Sequence, residues 1–354
     1  MILTGGNMTV ADMVELARRA EGAGAASVFS VEAWRSGFVP LAAIATATER
    51  VRLGTYVINA YGRSPFIAGM EARDLDDLSG GRLVLGVGSG NVFTNRVYQN
   101  LETARPLRKL AEYVELLRLI LAATPGQSVE FEGEIHAMSH WMPQADSARP
   151  SVPVYLAALF PKMRRVAGRV ADGIALGSLQ GRDFLASTVL PAVHEAVEAS
   201  GRDPADFGAM VAQFTSIDED REAAYEVSRY AVVDLFHPKP HRQYEHTLRE
   251  QGYGAVLDQI LALQADGNRD AAAAIVPDEL IEELTITGTP DECVKRLADY
   301  DGLVEENILM ASGGSRHRLV RAADDEKAAA MARFGTVIDL IARVSASRSD
   351  GGAS

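Results

Sequence analysis

The sequence has little cysteine, few aromatic residues and a deficit of positive charge. Its single cysteine among 354 residues, Cys293, excludes an internal disulfide framework. The formal net charge of −13 argues against a nucleic-acid-binding surface and against docking on anionic lipid. No apolar run approaches the roughly 18 residues of a membrane-spanning helix. The N-terminal residues MILTGGN lack the basic region and apolar core of a secretory signal peptide, so we expect a cytoplasmic protein.

The sequence also lacks the usual signatures of metalloenzymes and hydrolases. It contains no H-E-x-x-H motif, no cysteine pair and no G-x-S-x-G motif, so we expect no metal site. His237 and His241 are four residues apart, but Pro238 and Pro240 forbid the helix that would place them on one face. We expect these histidines in a loop that covers a ligand site, and Cys293 as a packing residue in a capped helix.

Strands and helices alternate along most of the chain. Thr9 and Asp12 form the pattern of a capping box before an amphipathic helix, and Thr289 and Glu292 repeat it late in the chain. Hydrophobic periodicity and helix punctuation predict strands at 1–4, 26–31, 51–58, 83–87, 154–157, 173–176, 209–217 and 307–311. The main intervening helices are predicted at 39–48, 65–78, 106–123, 161–170 and 191–200.

This alternation predicts an α/β fold, a (β/α)8 TIM barrel with insertions, as a single domain over residues 1–345. An open doubly wound sheet is the alternative, but it would favour a G-x-G-x-x-G motif directly after the first strand. Two excursions from the barrel are expected, near 124–150, where 129–136 resembles a hairpin, and at 218–283. We expect the tail 346–354 to be disordered.

In a barrel the reacting groups lie at the carboxyl ends of the strands, which gives a short set of candidates. Glu32 follows the second strand and could act in proton transfer or orientation, or simply cap the next turn. Arg63 could hold a phosphate or carboxylate, or could pair with Glu71. The sequence alone favours the pairing with Glu71.

Three glycine-rich or small-residue segments also end strands. Gly86–Gly90 could bring backbone close to a flat ligand, or could reflect a tight turn. Ala157–Lys162 leads into a helix whose free N–H groups suit a phosphate, and Gly313–Ser315 is a second candidate for the same role.

Read together, these segments resemble the luciferase-like monooxygenase family. The resemblance rests on VFSVEAW, LGTYVINAYGRSP, DDLSGGRLVLGVGSGN and PVYLAALFPKMRRVAGRVADGIALGS, with support from EFEGEIHAM and ITGTPDECVKRL. Together these segments span most of residues 1–312, and 218–283 matches least. The pattern is closest to the branch that uses the deazaflavin coenzyme F-420 and includes methylenetetrahydromethanopterin reductase. The chain departs from that branch at Tyr56, where glycine is usual, at Ser64, where histidine is common, and at Ala33, which replaces a frequent histidine.

The resemblance implies a barrel that binds a flavin-type cofactor at its carboxyl-end mouth. In relatives a cis peptide bond forms a bulge behind the cofactor ring, and the matching bond here is Tyr56–Val57. Glu32 matches an acidic position of relatives, so a catalytic role would fall to Glu32, and His237 or His241 could serve from the predicted loop. The implied cofactor-binding residues are Tyr56, Val57, Asn59, Arg63, Gly88, Gly90, Ala157, Ala158, Phe160, Lys162, Gly177 and Ser178.

The resemblance favours a coenzyme F-420-dependent oxidoreductase that transfers hydride between the cofactor C5 and a small organic substrate. An FMN-dependent monooxygenase that uses reduced flavin and oxygen is the alternative, because both classes share the ring and phosphate platforms. A cofactor-free barrel that acts as a binding or structural subunit is a third interpretation, favoured by Tyr56 and the missing histidine. Relatives usually pair, so we expect a homodimer.

Overall fold

A computed structural model of the chain describes residues 1–5, 7–236, 242–313 and 323–351. Within them the strands are β1 (Ile2–Leu3), β2 (Ser27–Ser30), β3 (Arg52–Thr55), β4 (Ile58–Asn59), β5 (Leu83–Gly88), β6 (Val129–Glu132), β7 (Ala137–Trp141), β8 (Val154–Ala157), β9 (Gly173–Leu176), β10 (Gly208–Ile217), β11 (Ile286–Gly288) and β12 (Glu306–Ala311).

Helices fill most of the intervening chain. They are α1 (Val10–Gly22), α2 (Val39–Ala45), α3 (Pro65–Leu78), α4 (Pro106–Ala122), α5 (Pro161–Val170), α6 (Arg182–Phe184), α7 (Leu190–Glu198), α8 (Arg221–Asp234), α9 (Arg242–Glu250), α10 (Gly254–Ala265), α11 (Arg269–Ala274), α12 (Asp278–Leu284), α13 (Pro290–Ala298) and α14 (Ala323–Gly351). Short π-helices occupy Thr94–Tyr98 and Leu185–Val189, and a 3-10 turn occupies Pro204–Asp206.

The chain divides into two compact units. The β2–β9 unit comprises Ala26–Ala175 and Pro191–Ala209, and the β10–β12 unit comprises Met1–Ala25, Leu176–Leu190 and Met210–Ser354. In the first unit the parallel strands follow the order β2-β3-β5-β8-β9, with β4 also beside β5. In the second unit β10 lies between β11 and β12, and both pairings are parallel.

Local capping chemistry explains where several helices begin. The Ser64 hydroxyl accepts the Ile67 N–H at 3.2 Å, and Pro65 occupies the first turn of α3, where its missing N–H costs nothing. The predicted capping boxes at Thr9 and Thr289 are both formed and open α1 and α13. The prediction of packing for Cys293 is confirmed, since it is fully buried in α13 and burial raises its pKa to about 12.

The predicted excursion at 218–283 is a helical insertion in the β10–β12 unit with an apolar core of its own. Helices α8 to α12 pack around buried side chains that include Tyr225, Leu248, Leu257 and Leu280. Phe214 of β10 packs against the same cluster, so this face of the strand is turned toward the helices. Because side chains alternate along a strand, Gln213 is directed to the opposite face.

The earlier excursion is an antiparallel hairpin of β6 and β7, as predicted, and it is fixed to α4 by one carboxylate. Glu112 is 2% exposed and accepts the backbone N–H groups of Glu134, Ile135 and His136 at 3.0, 2.8 and 3.0 Å. Burial alone would raise the pKa of Glu112, but these three donors and the nearby Arg108 bring it below its ordinary value.

Replacing Glu112 by glutamine should destabilise the β2–β9 unit by about 2 kcal/mol, because the amide nitrogen cannot accept these hydrogen bonds. Since the pKa is lower in the folded state, the stabilisation is complete above the ordinary glutamate pKa and disappears as pH falls through the folded-state value. Urea unfolding at several pH values should therefore show a wild-type advantage that shrinks in acid. Glu115→Gln, an exposed position on the same helix, is the control, and an equal loss there would contradict the account.

The chain's last described residues differ from the sequence-based prediction. Helix α14 continues to Gly351, so residues 346–351 are helical where we expected disorder. Ala-rich repeats and ion pairs such as Lys327–Asp12 at 2.8 Å support this helix from its first turns onward. Among the helices in the described part of the chain, none is both long and apolar enough to cross a membrane.

Candidate active site

An ion-pair network lies at the carboxyl ends of β2 and β4 in the β2–β9 unit. The Arg63 Nη2 atom lies 2.8 Å from Glu32 Oε2, and Nη1 donates to Glu71. The other Glu32 oxygen accepts the Asn59 backbone N–H at 3.2 Å. Burial would lower the pKa of Arg63, but the two carboxylates raise it above its ordinary value. The pairing of Arg63 with Glu71 is thus confirmed, and Glu32 joins it as a second partner.

Between β3 and β4 the chain forms a bulge at Tyr56 and Val57, where the sequence predicts one continuous strand. The Tyr56–Val57 peptide bond is cis, as the resemblance implies. The Tyr56 ring lies edge-on to the Phe29 ring, with 5.5 Å between the ring centres. The Tyr56 backbone N–H donates to the Ser30 carbonyl at 2.7 Å. Tyrosine is therefore accommodated where relatives usually have glycine.

Gly86 and Gly88 of β5 make room for this bulge. A Cβ atom on Gly86 would lie 2.1 Å from the Thr55 carbonyl oxygen and 2.8 Å from a Val57 methyl group. One on Gly88 would lie 2.6 Å from the other Val57 methyl group and 3.2 Å from Ala157 Cβ. We expected these glycines to leave room for a ligand. The space beside them is instead filled by the Val57 side chain, which remains partly exposed.

A buried amide pair joins the loops that follow β4 and β5. Asn59 Nδ2 donates to Asn95 Oδ1 at 2.6 Å, and Asn95 Nδ2 donates to the Ser89 carbonyl at 2.8 Å. Gly90 has a φ of +61°, and a side chain there would meet Asn59 at 2.7 Å. Asn59 and Gly90 are therefore brought together, and Asn95 is a site residue that the sequence analysis missed.

The predicted phosphate segment also lies in the β2–β9 unit. Ala157 ends β8 beside Gly88, and Ala158 is buried and donates its N–H to the Ala175 carbonyl at 3.4 Å. Phe160 precedes the first residue of α5, and both Phe160 and Lys162 are exposed. The first turn of α5 contains no acidic residue, so nothing there offsets the positive end of the helix dipole or the Lys162 ammonium.

Gly177 and Ser178 belong to the β10–β12 unit, where they form a turn after β9. Gln251 holds this turn in place, because its Nε2 donates to the Leu179 carbonyl at 2.8 Å and its Oε1 accepts the Gly181 N–H at 2.8 Å. Leu179 adopts a φ of +63°, a conformation uncommon for leucine. Ser178 is almost completely buried in this turn.

Three further residues of the β10–β12 unit were not singled out by the sequence analysis, although they lie in strand-end segments. Gln180 Oε1, Ser312 Oγ and both amide atoms of Gln213 are buried and make no hydrogen bond of normal geometry, although Gln213 interacts with the Tyr300 hydroxyl. Buried polar atoms of this kind usually meet a water or a ligand. Gln180 lies shortly after β9 and Ser312 directly after β12, whereas Gln213 lies within β10. Proximity to these strands was the only signal available in the sequence.

Four further candidates belong to segments that the structure does not describe. His237 and His241 lie outside the described residues, as do Gly314 and Ser315. Within the described part of the chain, no cluster of three or more His, Cys, Asp or Glu side chains could hold a metal ion.

The residues of the β2–β9 unit fit one face of a flat cofactor. In the β2–β9 unit, Val57 is seated firmly against β5 and offers a partly exposed apolar surface.

Comparison with known proteins places these features in context. Residues 1–305 match the family model described as luciferase-like monooxygenase. The chain is 28% identical over 265 residues to the 5,10-methylenetetrahydromethanopterin reductase of Archaeoglobus fulgidus, which spans 74% of this chain and 77% of that protein. It is 30% identical over 314 residues to the F-420-dependent glucose-6-phosphate dehydrogenase of Nakamurella multipartita, which spans 86% of this chain and 87% of that protein.

A solved structure supports the fold. The coenzyme F-420-dependent tetrahydromethanopterin reductase of Methanopyrus kandleri superposes with a TM-score of 0.75 over 95% of each chain, at 22% sequence identity. This likeness confirms the predicted fold class, the α/β (β/α)8 TIM barrel of luciferase-like proteins.

Proposed function

The chain belongs to the luciferase-like monooxygenase family of oxidoreductases, and from that premise we propose that it is a coenzyme F-420-dependent oxidoreductase acting on a small organic substrate. The observation that carries the proposal is the seating of Val57 in the space that Gly86 and Gly88 leave on β5. The name of the Nakamurella relative, an F-420-dependent dehydrogenase, favours the deazaflavin over FMN.

We assign the binding of the ring to Tyr56, Val57, Asn59, Gly88 and Gly90. Val57 would support one face of the ring, while the Asn59–Asn95 pair fixes the neighbouring loops so that the ring meets a rigid surface. When bound, the deazaflavin supplies or accepts a hydride at its C5 atom. The protein contributes orientation and the exclusion of water.

We assign the cofactor phosphate to the start of α5. The positive end of the α5 dipole and the Lys162 ammonium favour a phosphate, and Ala157, Ala158 and Phe160 lead the chain into this turn. Gly177 and Ser178, which Gln251 holds in their turn in the β10–β12 unit, are the other residues that the resemblance predicts for cofactor binding.

We infer that Glu32 acts by orientation and not as a proton donor. One carboxylate oxygen accepts from Arg63 and the other accepts from the Asn59 N–H, so both oxygens serve as acceptors. Glu32 thereby holds the backbone of Asn59 and the guanidinium of Arg63 in fixed positions. The other two residues that the sequence analysis considered for proton transfer, His237 and His241, lie outside the described residues.

The test is hydride transfer itself. Protein is mixed without oxygen with coenzyme F-420 that carries deuterium at the reduced C5, together with a panel of small carbonyl and imine compounds. We expect deuterium in one product by mass spectrometry and none when the protein is left out. A product that forms only with reduced FMN and oxygen, and contains an atom of that oxygen, would contradict the proposal and favour the monooxygenase alternative.

A further inference from the structure

A half-buried lysine lies beside the proposed ring site without an acidic partner. Lys109 is in the first turn of α4, and its Nζ atom lies 5.1 Å from the centre of the Tyr61 ring. Within the described residues Lys109 forms no ion pair, and burial lowers its pKa. Because removing an ammonium group from water without a counter-ion is unfavourable, such a position favours an anion that is not part of the chain.

A histidine with an unused buried nitrogen lies near this lysine. His136 is in the turn between β6 and β7, where its backbone N–H donates to Glu112 and its carbonyl accepts the Gly133 N–H at 2.9 Å. The His136 ring lies edge-on to Tyr113 at 5.8 Å. Its Nε2 atom is buried and has no hydrogen-bond partner. The backbone of this turn is thus fixed, while the ring nitrogen remains available.

The nearest carboxylate, Glu112, does not neutralise Lys109. Burial and the charge of Lys109 lower the pKa of His136, and Glu112 raises it less strongly. The Glu112 oxygens are already occupied by three backbone N–H groups, with Arg108 Nε at 3.7 Å from one of them. Glu112 therefore does not serve as the counter-ion of Lys109.

Each of the two groups contacts a tyrosine ring that is hydrogen-bonded to residues near the proposed ring site of the β2–β9 unit. Lys109 lies over the Tyr61 ring. The Tyr61 backbone N–H donates to Asn59 Oδ1 at 3.0 Å, and the Tyr61 hydroxyl donates to the Ala104 carbonyl at 2.8 Å. Tyr113, against which His136 packs, directs its hydroxyl to the Ser64 carbonyl at 3.4 Å, next to Arg63. The pair therefore borders the loop that carries Asn59 and Arg63.

We propose that Lys109 and His136 form an oxyanion-binding pair that receives a phosphate or carboxylate group of the substrate. The Lys109 ammonium supplies charge, and His136 supplies an Nε2–H donor in its neutral form. In the proposed function the start of α5 binds the cofactor phosphate, so we assign the anion at Lys109 and His136 to the substrate. This assignment therefore rests on the proposed function. The substrate class is accordingly an organic molecule that carries an anionic group.

The test follows the His136 ring by long-range 1H–15N NMR in the full chain while inorganic phosphate is added, with the signal assigned from a His136→Gln spectrum. We expect a saturable shift of the His136 nitrogens. Lys109→Gln should weaken phosphate binding about tenfold or more, which corresponds to the loss of one charge-assisted contact. Arg169→Gln, an exposed charge in the last turn of α5, is the matched control and should leave the affinity within about twofold of wild type.

Repeating the titration with saturating oxidised coenzyme F-420 separates the two possible sources of the anion. Unchanged phosphate affinity supports the substrate assignment, whereas displacement of phosphate would overturn it in favour of an anionic group of the cofactor. A His136 signal that phosphate does not move, or equal weakening by both variants, would overturn the pair itself. Phosphate binding at His136 in a protein that binds no deazaflavin would support the pair and contradict only the proposed function.

Discussion

Replacing Gly86 by alanine should destabilise the β2–β9 unit by about 3 kcal/mol, at the upper end of the usual cost of overpacking. The new methyl group would lie 2.1 Å from the Thr55 carbonyl oxygen and 2.8 Å from a Val57 methyl group. A backbone atom cannot rotate away as a side chain can. Gly86 also exchanges two hydrogen bonds with the Thr55 hydroxyl, at 2.8 and 3.0 Å, which a separation of β3 from β5 would break.

The measurement is thermal and urea unfolding of Gly86→Ala beside a matched glycine substitution. Gly22, the last residue of α1, has no atom within 4 Å of an added Cβ. Gly22→Ala should therefore be neutral or stabilising by up to about 1 kcal/mol. If Gly86→Ala were as stable as Gly22→Ala, the account of how β5 accommodates the bulge would be wrong.

Replacing Arg63 by methionine should weaken coenzyme F-420 binding at least about tenfold and lower stability by about 2 kcal/mol. The guanidinium lies between Glu32 and Glu71, so its loss leaves two carboxylates facing each other without a cation. Removing one partner of a fully buried ion pair lowers the free energy of unfolding by more than about 2 kcal/mol. The Arg63 and Glu32 side chains are each 18% exposed, so we expect a smaller loss. Without Arg63, Glu32 no longer holds the Asn59 backbone in a single position.

Arg118→Met is the control for Arg63→Met, because Arg118 pairs with Asp172 at a more exposed site of the same unit. We expect it to cost less than about 1 kcal/mol and to leave cofactor affinity unchanged. Unfolding experiments and equilibrium binding should be carried out on both variants. Equal cofactor affinity in the two would contradict the role given to the Glu32–Arg63–Glu71 network.

Local chemistry explains why much of the fold could be predicted from sequence. Ser64 and Pro65 define the start of α3, and the predicted span 65–78 agrees with the structure. Helix α5 and strands β8 and β9 also occupy the predicted residues. In each case the signal is contained in the segment itself, as a cap, a first-turn proline or a run of buried residues.

The features that could not be predicted depend on contacts between distant segments. The strand predicted at 51–58 is divided because Val57 leaves the strand and fills the space above Gly86 and Gly88, about thirty residues later. The hydrogen bonds of Glu112 to the β6–β7 turn and the Asn59–Asn95 pair likewise join distant parts of the chain. The family resemblance located the bulge but did not reveal that the nearby glycines accommodate it.

The proposed cofactor is tested most directly by equilibrium titration of the wild-type chain with oxidised coenzyme F-420 and, in parallel, with FMN, followed by fluorescence. We expect the wild-type chain to bind the deazaflavin saturably at one site per chain, at least about a hundredfold more tightly than FMN. In Arg63→Met this preference should fall at least about tenfold. Tight binding of FMN with no affinity for coenzyme F-420 would contradict it.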